Sequence, residues 1–118
     1  MNSKDSLKTL SAQLAAFAAE RDWDQFHNPK NLAMALTGEV GELVEHFQWL
    51  TPDQAANLSA PVREAVALEA ADVLLFLLRL CDKLGIDLAA AAGRKLALNA
   101  KKYPVAKSRG RATKYDKL

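Results

Sequence analysis

The chain has 118 residues, half of them hydrophobic, a size and composition typical of a single folded domain. The one cysteine, Cys81, excludes a disulfide framework within the chain, and no apolar run is long enough to span a bilayer. The polar N-terminal start does not resemble a secretory leader, so we expect a cytoplasmic protein with no membrane partner.

The net charge of +2 combines an acidic body with a basic C-terminal region. Residues 1–92 carry 7 Lys or Arg against 13 Asp or Glu, whereas residues 93–118 carry 9 against 1. This asymmetry indicates that an anionic ligand binds where the acidic and basic regions meet. We therefore divide the chain into a helical domain, residues 1–104, and a basic C-terminal tail, residues 105–118.

The N-terminal half predicts two long helices. Apolar residues recur every three or four positions, which predicts a first helix from about Ser6 to Glu20. Asn28 followed by Pro29 is a typical helix start, because Asn caps free backbone amides and Pro fits the first turn. The second helix is predicted to continue to about Trp49.

The C-terminal half predicts three further helices and a tail. A short helix follows Thr51, and a long helix begins near Ser59 and ends near Leu84, where a glycine follows. Asp87 caps a last helix that Pro104 closes. The tail beyond it has no periodic apolar pattern, and we expect an extended or mobile arm.

Four main helices with short connections, and no strand alternation, predict an all-α protein built as an antiparallel four-helix bundle. The run of residues 73–78 is apolar on every side of its helix. Such a helix is central or is covered by another subunit, so we also expect a homo-oligomer.

Two acidic pairs, each one helical turn apart, lie on separate helices. On helical wheels, Glu39 and Glu42 border the apolar stripe of the second helix, and Glu69 and Asp72 take the same offsets on the long helix. Carboxylates beside a core repel one another and need a partner, which a divalent cation supplies. All-oxygen ligands favour Mg²⁺, with Mn²⁺ as an alternative, and bound Mg²⁺ is usually shared with substrate phosphates.

Two other interpretations of the acidic pairs stay open. The acids could form ion pairs across the bundle, with bases taken from Lys30, Arg63, Arg79 and Lys83. A di-iron carboxylate site would need Glu-x-x-His repeats, but His46 follows Glu42 by four residues instead of three.

Aromatic residues at both ends of the second helix offer faces on which a nucleobase could stack. Trp23 and Trp49 suit this role, with core packing as the alternative for both, whereas Phe26 is expected to pack in the core. His27 either joins the aromatic residues or is a surface or capping residue.

Polar residues on one face of the last helix could contact phosphates or could simply face solvent. These residues are Lys95, Asn99 and Lys102, with Tyr103 at the end of the helix, and Arg109 belongs to the basic tail.

The segments 38–43 (Gly-Glu-Val-Gly-Glu-Leu) and 69–72 (Glu-Ala-Ala-Asp) resemble the Glu-x-x-Glu and Glu-x-x-Asp signature of the MazG-type all-α nucleoside triphosphate pyrophosphohydrolases. Further segments are similar to the dCTP pyrophosphatase branch of that family: Phe17–His27, Phe47–Trp49, Asn99, Tyr103–Pro104 and Lys114–Tyr115.

This resemblance implies hydrolysis of a deoxynucleoside triphosphate, preferably a pyrimidine such as dCTP, to the monophosphate and pyrophosphate. It implies Mg²⁺ dependence, a role in clearing the nucleotide pool, and a homo-oligomer, with a tetramer favoured over a dimer. The expected metal ligands are Glu39, Glu42, Glu69 and Asp72. The expected substrate-binding residues are Trp23, His27 and Trp49 around the base, and Lys95, Asn99, Tyr103 and Arg109 at the sugar or phosphates.

Phe76 departs from the resemblance, since this branch often has Tyr there. The hydroxyl that could hydrogen-bond to the substrate is absent, which bears on the base or sugar preference. No residue is assigned as the general base. The competing hypothesis is a non-catalytic helical oligomer that binds nucleotides or nucleic acid through its basic tail, although we expect no nucleic-acid partner.

Overall fold

A computed structural model describes the backbone of residues 3–118 and the side chains of residues 6–118. In this range the chain forms six α-helices, two 3₁₀ turns and no strand, so the prediction of an all-α protein is confirmed. The helices are α1 (Ser3–Glu20), α2 (Pro29–Glu45), α3 (Pro52–Ala56), α4 (Ala60–Lys83), α5 (Leu88–Lys102) and α6 (Val105–Ser108). The 3₁₀ turns are Asp24–Phe26 and Tyr115–Lys117.

The chain divides into two compact units, Met1–Ile86 and Asp87–Leu118. In the first unit, α4 packs against both α2 and α1. The second unit contains α5, α6 and the last 3₁₀ turn. Met1 and Asn2, part of the polar start noted above, lie outside the described residues.

Helices α2 and α4 run in opposite directions. Arg79, near the end of α4, contacts His27, which lies just before α2. Glu69, in the middle of α4, lies close to Glu39 in the second half of α2. This antiparallel register brings the two acidic pairs to the same level of the helix–helix seam.

Side-chain caps form the predicted starts of α2, α3 and α5, whereas Ser59 makes no side-chain cap bond at the start of α4. The Asn28 carboxamide oxygen accepts a hydrogen bond from the Asn31 amide at 2.9 Å. Thr51 and Gln54 form a reciprocal capping box at the start of α3, and the Asp87 carboxylate caps α5. Each cap satisfies an amide that has no partner within the helix.

The end of α2 differs from the prediction. The helix stops at Glu45, four residues before Trp49, and the chain continues through turns. The Phe47 amide donates to the Val44 carbonyl, three residues back, at 2.9 Å. This tighter bonding ends the α-helical pattern and turns the chain toward α3.

The end of α4 is set by backbone conformation. Gly85 has φ 67°, a left-handed value that glycine adopts without a steric cost. The Ile86 amide donates to the Cys81 carbonyl at 2.8 Å, and the Gly85 amide to the Asp82 carbonyl at 3.2 Å. These two bonds form a Schellman motif, which satisfies carbonyls at the helix end.

The interior of the protomer is small. Among the described side chains, the buried apolar ones are Ala18, Leu32, Leu78 and Cys81. Most of the all-apolar run, residues 73–77, is only half-buried, and an open apolar groove lies between α1 and α4. The groove is lined by Leu10, Gln13, Leu14, Phe17 and Leu75.

Part of the tail is folded, whereas its sequence suggests an extended or mobile arm. Its first residues form α6, and the Tyr115 ring contacts the Tyr103 ring edge to face, with centroids 6.0 Å apart. The Lys102 ammonium lies 4.8 Å from the centre of the Tyr115 ring. These contacts within the second unit fold the tail back, and a periodicity search cannot detect them because they join single aromatic residues.

Within the described residues, no helix combines the length and apolar character required to cross a bilayer.

Candidate active site

Three of the predicted metal ligands converge in the seam between α2 and α4. Glu39, Glu69 and Asp72 each offer a carboxylate oxygen, and these oxygens lie within 4.8 Å of one another. Glu39 and Glu69 are half-buried, and Asp72 is exposed at the edge of the seam. The wheel positions predicted this arrangement, since both pairs flank the core stripes of helices that face each other.

The fourth predicted ligand, Glu42, joins the same group. Its carboxyl is within hydrogen-bonding reach of both Glu39 and Glu69. Glu42 follows Glu39 by three residues, so it lies one turn further along α2 on the same side. The structure therefore brings all four acids together, from two helices.

The cluster holds its negative charge at an energetic cost. Burial raises the pKa of Glu39 and of Glu69 above the ordinary value of 4.5, and a hydrogen bond with Glu42 and the charges of neighbouring acids raise both pKa values further. One oxygen of Glu39 and one of Glu69 (Oε2 in each) is buried and accepts no hydrogen bond. Buried carboxylate oxygens without a partner are uncommon, because desolvation is then uncompensated.

The lysines and arginines of the first unit do not neutralise the cluster, although the His46 charge lowers the pKa of Glu69. Within its described side chains, no Lys or Arg forms an ion pair with any of the four acids. Arg79 and Lys83 pair instead with Asp24, and Arg79 also pairs with Asp82. The ligand atoms are carboxylate oxygens with no histidine among the three converging residues, which suits Mg²⁺ or Mn²⁺.

Trp23 and His27 lie together at the start of α2. Their ring centroids are 6.5 Å apart, and the Phe17 ring meets Trp23 edge to face at 5.6 Å. Trp23 stays 44% exposed, so its ring is available to a ligand. Phe26 is 59% exposed, which makes the expectation of core packing wrong for this protomer.

Trp49 lies far from these two residues. It follows the C-terminal end of α2, whereas Trp23 and His27 precede the N-terminal end. A helix of this length spans about 25 Å. Trp49 is 87% exposed, so it does not pack in the core of the protomer. A single protomer therefore does not bring the two tryptophans to one base.

Arg79 is a residue of interest that the sequence pattern did not single out. Its side chain is buried, with 5% of the residue exposed, and it donates hydrogen bonds to His27, Asp24 and Asp82. The sequence indicated it only as one of several possible partners for the acidic pairs. The sequence shows only that Arg79 precedes Asp82 by three residues, whereas its contacts with residues 24 and 27 depend on the fold.

The remaining predicted residues belong to the second unit. Lys95 is exposed on α5 and Asn99 is half-buried one turn later. The Tyr103 amide donates to the Asn99 carbonyl at 2.8 Å, which closes the helix beside the Tyr115 ring. Arg109 is exposed directly after α6.

Comparisons with known proteins identify chains that are similar to this one. A sequence model of the MazG-like family matches residues 35–118, a range that includes all four acids. The dCTP pyrophosphatase 1 of Mus musculus is 48% identical over 96% of this chain and 68% of the relative. The dCTP pyrophosphatase 1 of Homo sapiens is 45% identical with the same coverage of both chains.

A solved structure is similar as well. The crystal structure of a pyrophosphatase from Archaeoglobus fulgidus superposes with a TM-score of 0.79 at 39% identity, and the match covers 84% of this chain and 93% of that chain. The prediction of an enzyme, a nucleoside triphosphate pyrophosphohydrolase, is confirmed by these similarities. The chain belongs to the MazG-like family.

Proposed function

We propose that this enzyme hydrolyses deoxynucleoside triphosphates to the monophosphate and pyrophosphate with Mg²⁺, that it prefers dCTP-like pyrimidine nucleotides, and that it thereby clears the nucleotide pool. The acidic cluster carries the proposal, because four carboxyls converge there and two of their buried oxygens accept no hydrogen bond. The preference for dCTP rests on the similarity to dCTP pyrophosphatases.

Glu39, Glu42, Glu69 and Asp72 would hold the divalent ion, with Mn²⁺ as a possible replacement. When bound, the metal would neutralise charge on the phosphates and lower the pKa of the attacking water. The protein contributes positioning and a low-dielectric seam, which is most of what phosphoryl-type transfer requires. The raised pKa values of Glu39 and Glu69 fit a group of acids that depends on a cation for full ionisation.

The base would bind on the exposed face of Trp23, with His27 beside it. Aromatic faces stack on nucleobases, and stacking on one ring contributes about 1–3 kcal/mol per base. Phe76 lies one helical turn after Asp72 and offers no hydroxyl, so it can contribute only apolar contact to the substrate. In the second unit, Lys95, Asn99, Tyr103 and Arg109 remain our predicted contacts for the sugar and phosphates.

Trp49 would reach the base of a neighbouring copy. Within one protomer it and His27 lie at opposite ends of α2, a helix about 25 Å long. In the expected homo-oligomer, an exposed Trp49 can complete the base site of a second copy beside that copy's Trp23 and His27. The half-buried apolar run of α4 and the groove between α1 and α4 supply surface for such an assembly.

A nucleotide panel tests the proposal. The purified protein is incubated with each deoxynucleoside and ribonucleoside triphosphate and Mg²⁺, and the products are identified by chromatography. We expect the monophosphate and pyrophosphate in equal amounts, fastest from dCTP or a modified form, with no turnover in EDTA. Absence of turnover for every nucleotide, or release of inorganic phosphate alone, contradicts the proposal.

A further inference from the structure

A buried arginine connects α4 to the segment that precedes α2. Each of the three nitrogens of the Arg79 guanidinium donates to a different residue. Nε donates to Nδ1 of His27 at 3.1 Å, one terminal nitrogen donates to Asp82 at 2.8 Å, and the other donates to Asp24. Two of these partners, Asp24 and His27, are more than fifty positions away in the sequence, so the contact exists only in the folded protein.

The bond from Arg79 determines which nitrogen of His27 carries the proton. A guanidinium stays protonated at any relevant pH and can only donate hydrogen bonds. Nδ1 of His27 must therefore present its lone pair to Arg79. A neutral imidazole then carries its hydrogen on Nε2, the nitrogen on the opposite side of the ring, which points away from Arg79.

The charges around His27 favour the same state. The groups that face it are Asp24 from the 3₁₀ turn and Arg79 and Lys83 from α4. Burial lowers the pKa of His27 below its ordinary value, and the nearby Arg79 charge lowers the pKa further. Asp24 acts in the opposite direction, but its carboxylate is already paired with Lys83 at 2.6 Å and with Arg79.

We propose that Arg79 is a positioning residue, which orients His27 and holds it as a neutral Nε2–H donor directed at an acceptor atom of the nucleobase. The proposal rests on the proposed function in one respect, namely that His27 lies on the base-binding surface beside Trp23. The ligand chemistry that it selects is a ring nitrogen or carbonyl oxygen with a free lone pair, as on the N3 and O2 edge of cytosine.

The tautomer is measured by ¹⁵N NMR, which distinguishes protonated from unprotonated ring nitrogens. The chain has 2 histidines, so the spectrum holds two imidazole spin systems, and a His46→Gln variant assigns them. We expect an unprotonated Nδ1 and a protonated Nε2 for His27 between about pH 6 and 8. A proton on Nδ1, or a doubly protonated ring throughout this range, overturns the proposal without any Arg79 variant.

Arg79→Met removes the three donors while keeping an apolar stem, and Lys83→Met is the matched control. The control removes a cation from Asp24 but leaves the bond between Arg79 and His27 intact. In Arg79→Met we expect a mixture of His27 tautomers, a raised His27 pKa, and a KM for dCTP raised about tenfold with a smaller change in kcat. In Lys83→Met we expect a change in KM of less than about twofold. Equal effects of the two variants on KM and on the tautomer contradict a positioning role for Arg79.

Two His27 variants test the donor even if Arg79→Met fails to fold. Gln can place an amide N–H where Nε2–H lies, whereas the shorter Asn cannot. We expect His27→Gln to bind dCTP about tenfold more tightly than His27→Asn. Equal or reversed affinities overturn the proposal. If the wild type neither binds nor hydrolyses a nucleotide, the proposed function fails, while the NMR spectrum still decides the tautomer.

Discussion

At the scale of single residues, Glu39 and Glu69 lie in surroundings that disfavour the ionised form of a carboxyl group. Each buries one oxygen that accepts no hydrogen bond, and each has Glu42 close by. Burial and like charge both disfavour the ionised form. The metal-free cluster therefore destabilises the folded protein, and a bound cation would remove that cost.

Replacing Glu39 by Gln should raise the stability of the metal-free protein and lower its activity. Gln removes one negative charge, so we expect the melting temperature of the metal-free protein to rise. The same change removes a predicted ligand, so activity should fall by roughly 100-fold and the stabilisation by Mg²⁺ should shrink. Scanning calorimetry with and without Mg²⁺, together with a rate assay, measures both effects.

Glu45→Gln is the matched control, because Glu45 lies on the same helix, is exposed and does not belong to the cluster. It should leave activity and the Mg²⁺ effect unchanged. Parallel losses in the two variants would show that charge in general matters, and not this site.

The raised pKa values predict a pH dependence of stability. The folded protein binds more protons than the unfolded chain between the ordinary value of 4.5 and the raised values of Glu39 and Glu69. Stability of the metal-free protein conferred by this pair therefore falls as pH rises through that window. The melting-temperature advantage of Glu39→Gln over the wild type should grow across the same window, as measured in EDTA. An advantage that is constant or shrinks as pH rises would count against charge repulsion in the cluster.

The sequence predicted that the four acids lie together but not the contacts of Arg79. The acids are visible because helical periodicity alone places Glu39 and Glu69 at the borders of core stripes. Arg79 forms hydrogen bonds with Asp24 and His27, and tertiary packing alone brings these residues together. A single sequence contains no local signal for such a contact.

At the scale of helices, side-chain caps made the starts of α2, α3 and α5 predictable, whereas the end of α2 was predicted four residues too late. The Asn28 side chain accepts a hydrogen bond from the Asn31 amide, three residues later, so its capping role can be predicted from local sequence. The end of α2 depends on turn geometry from His46 onward, for which no Gly or Pro provides a marker. The fold of the tail depends on a contact between Tyr103 and Tyr115, which lie on either side of α6.

Two glycine substitutions should have opposite effects on stability. Gly85 has a positive φ, so Gly85→Ala should destabilise the protein by about 1–2 kcal/mol. Gly93 lies within α5, where an added methyl group would meet open space, so Gly93→Ala should stabilise it by roughly 0.5–1 kcal/mol. Urea unfolding at a fixed protein concentration measures both, and equal signs would contradict the helix ends described above.

At the scale of the whole molecule, Trp49 and His27 are so far apart that the proposed base site needs residues from two copies of the chain. Trp23 and His27 are neighbours, whereas Trp49 lies beyond the other end of α2. The exposed apolar side chains of the protomer are consistent with the homo-oligomer that we predict.

Co-expression of inactive variants tests whether two copies share a base site. A mixture of Trp49→Ala and His27→Ala chains should recover about a quarter of the wild-type rate, since random pairing reunites the intact residues in that share of sites. A mixture of Trp23→Ala and His27→Ala should recover nothing, because these residues belong to the same copy. Background rates in both mixtures would show that Trp49 acts within its own chain.

The initial rate of dCTP hydrolysis as a function of Mg²⁺ concentration tests the central claim most directly. For the wild type, we predict no pyrophosphate release in metal-free buffer and a rate that rises to saturation with Mg²⁺. For Glu69→Gln, we predict a rate near background at every concentration. A wild-type rate that persists after metal removal, or a Glu69→Gln enzyme with the full wild-type rate, would contradict an acidic cluster that binds metal for triphosphate hydrolysis.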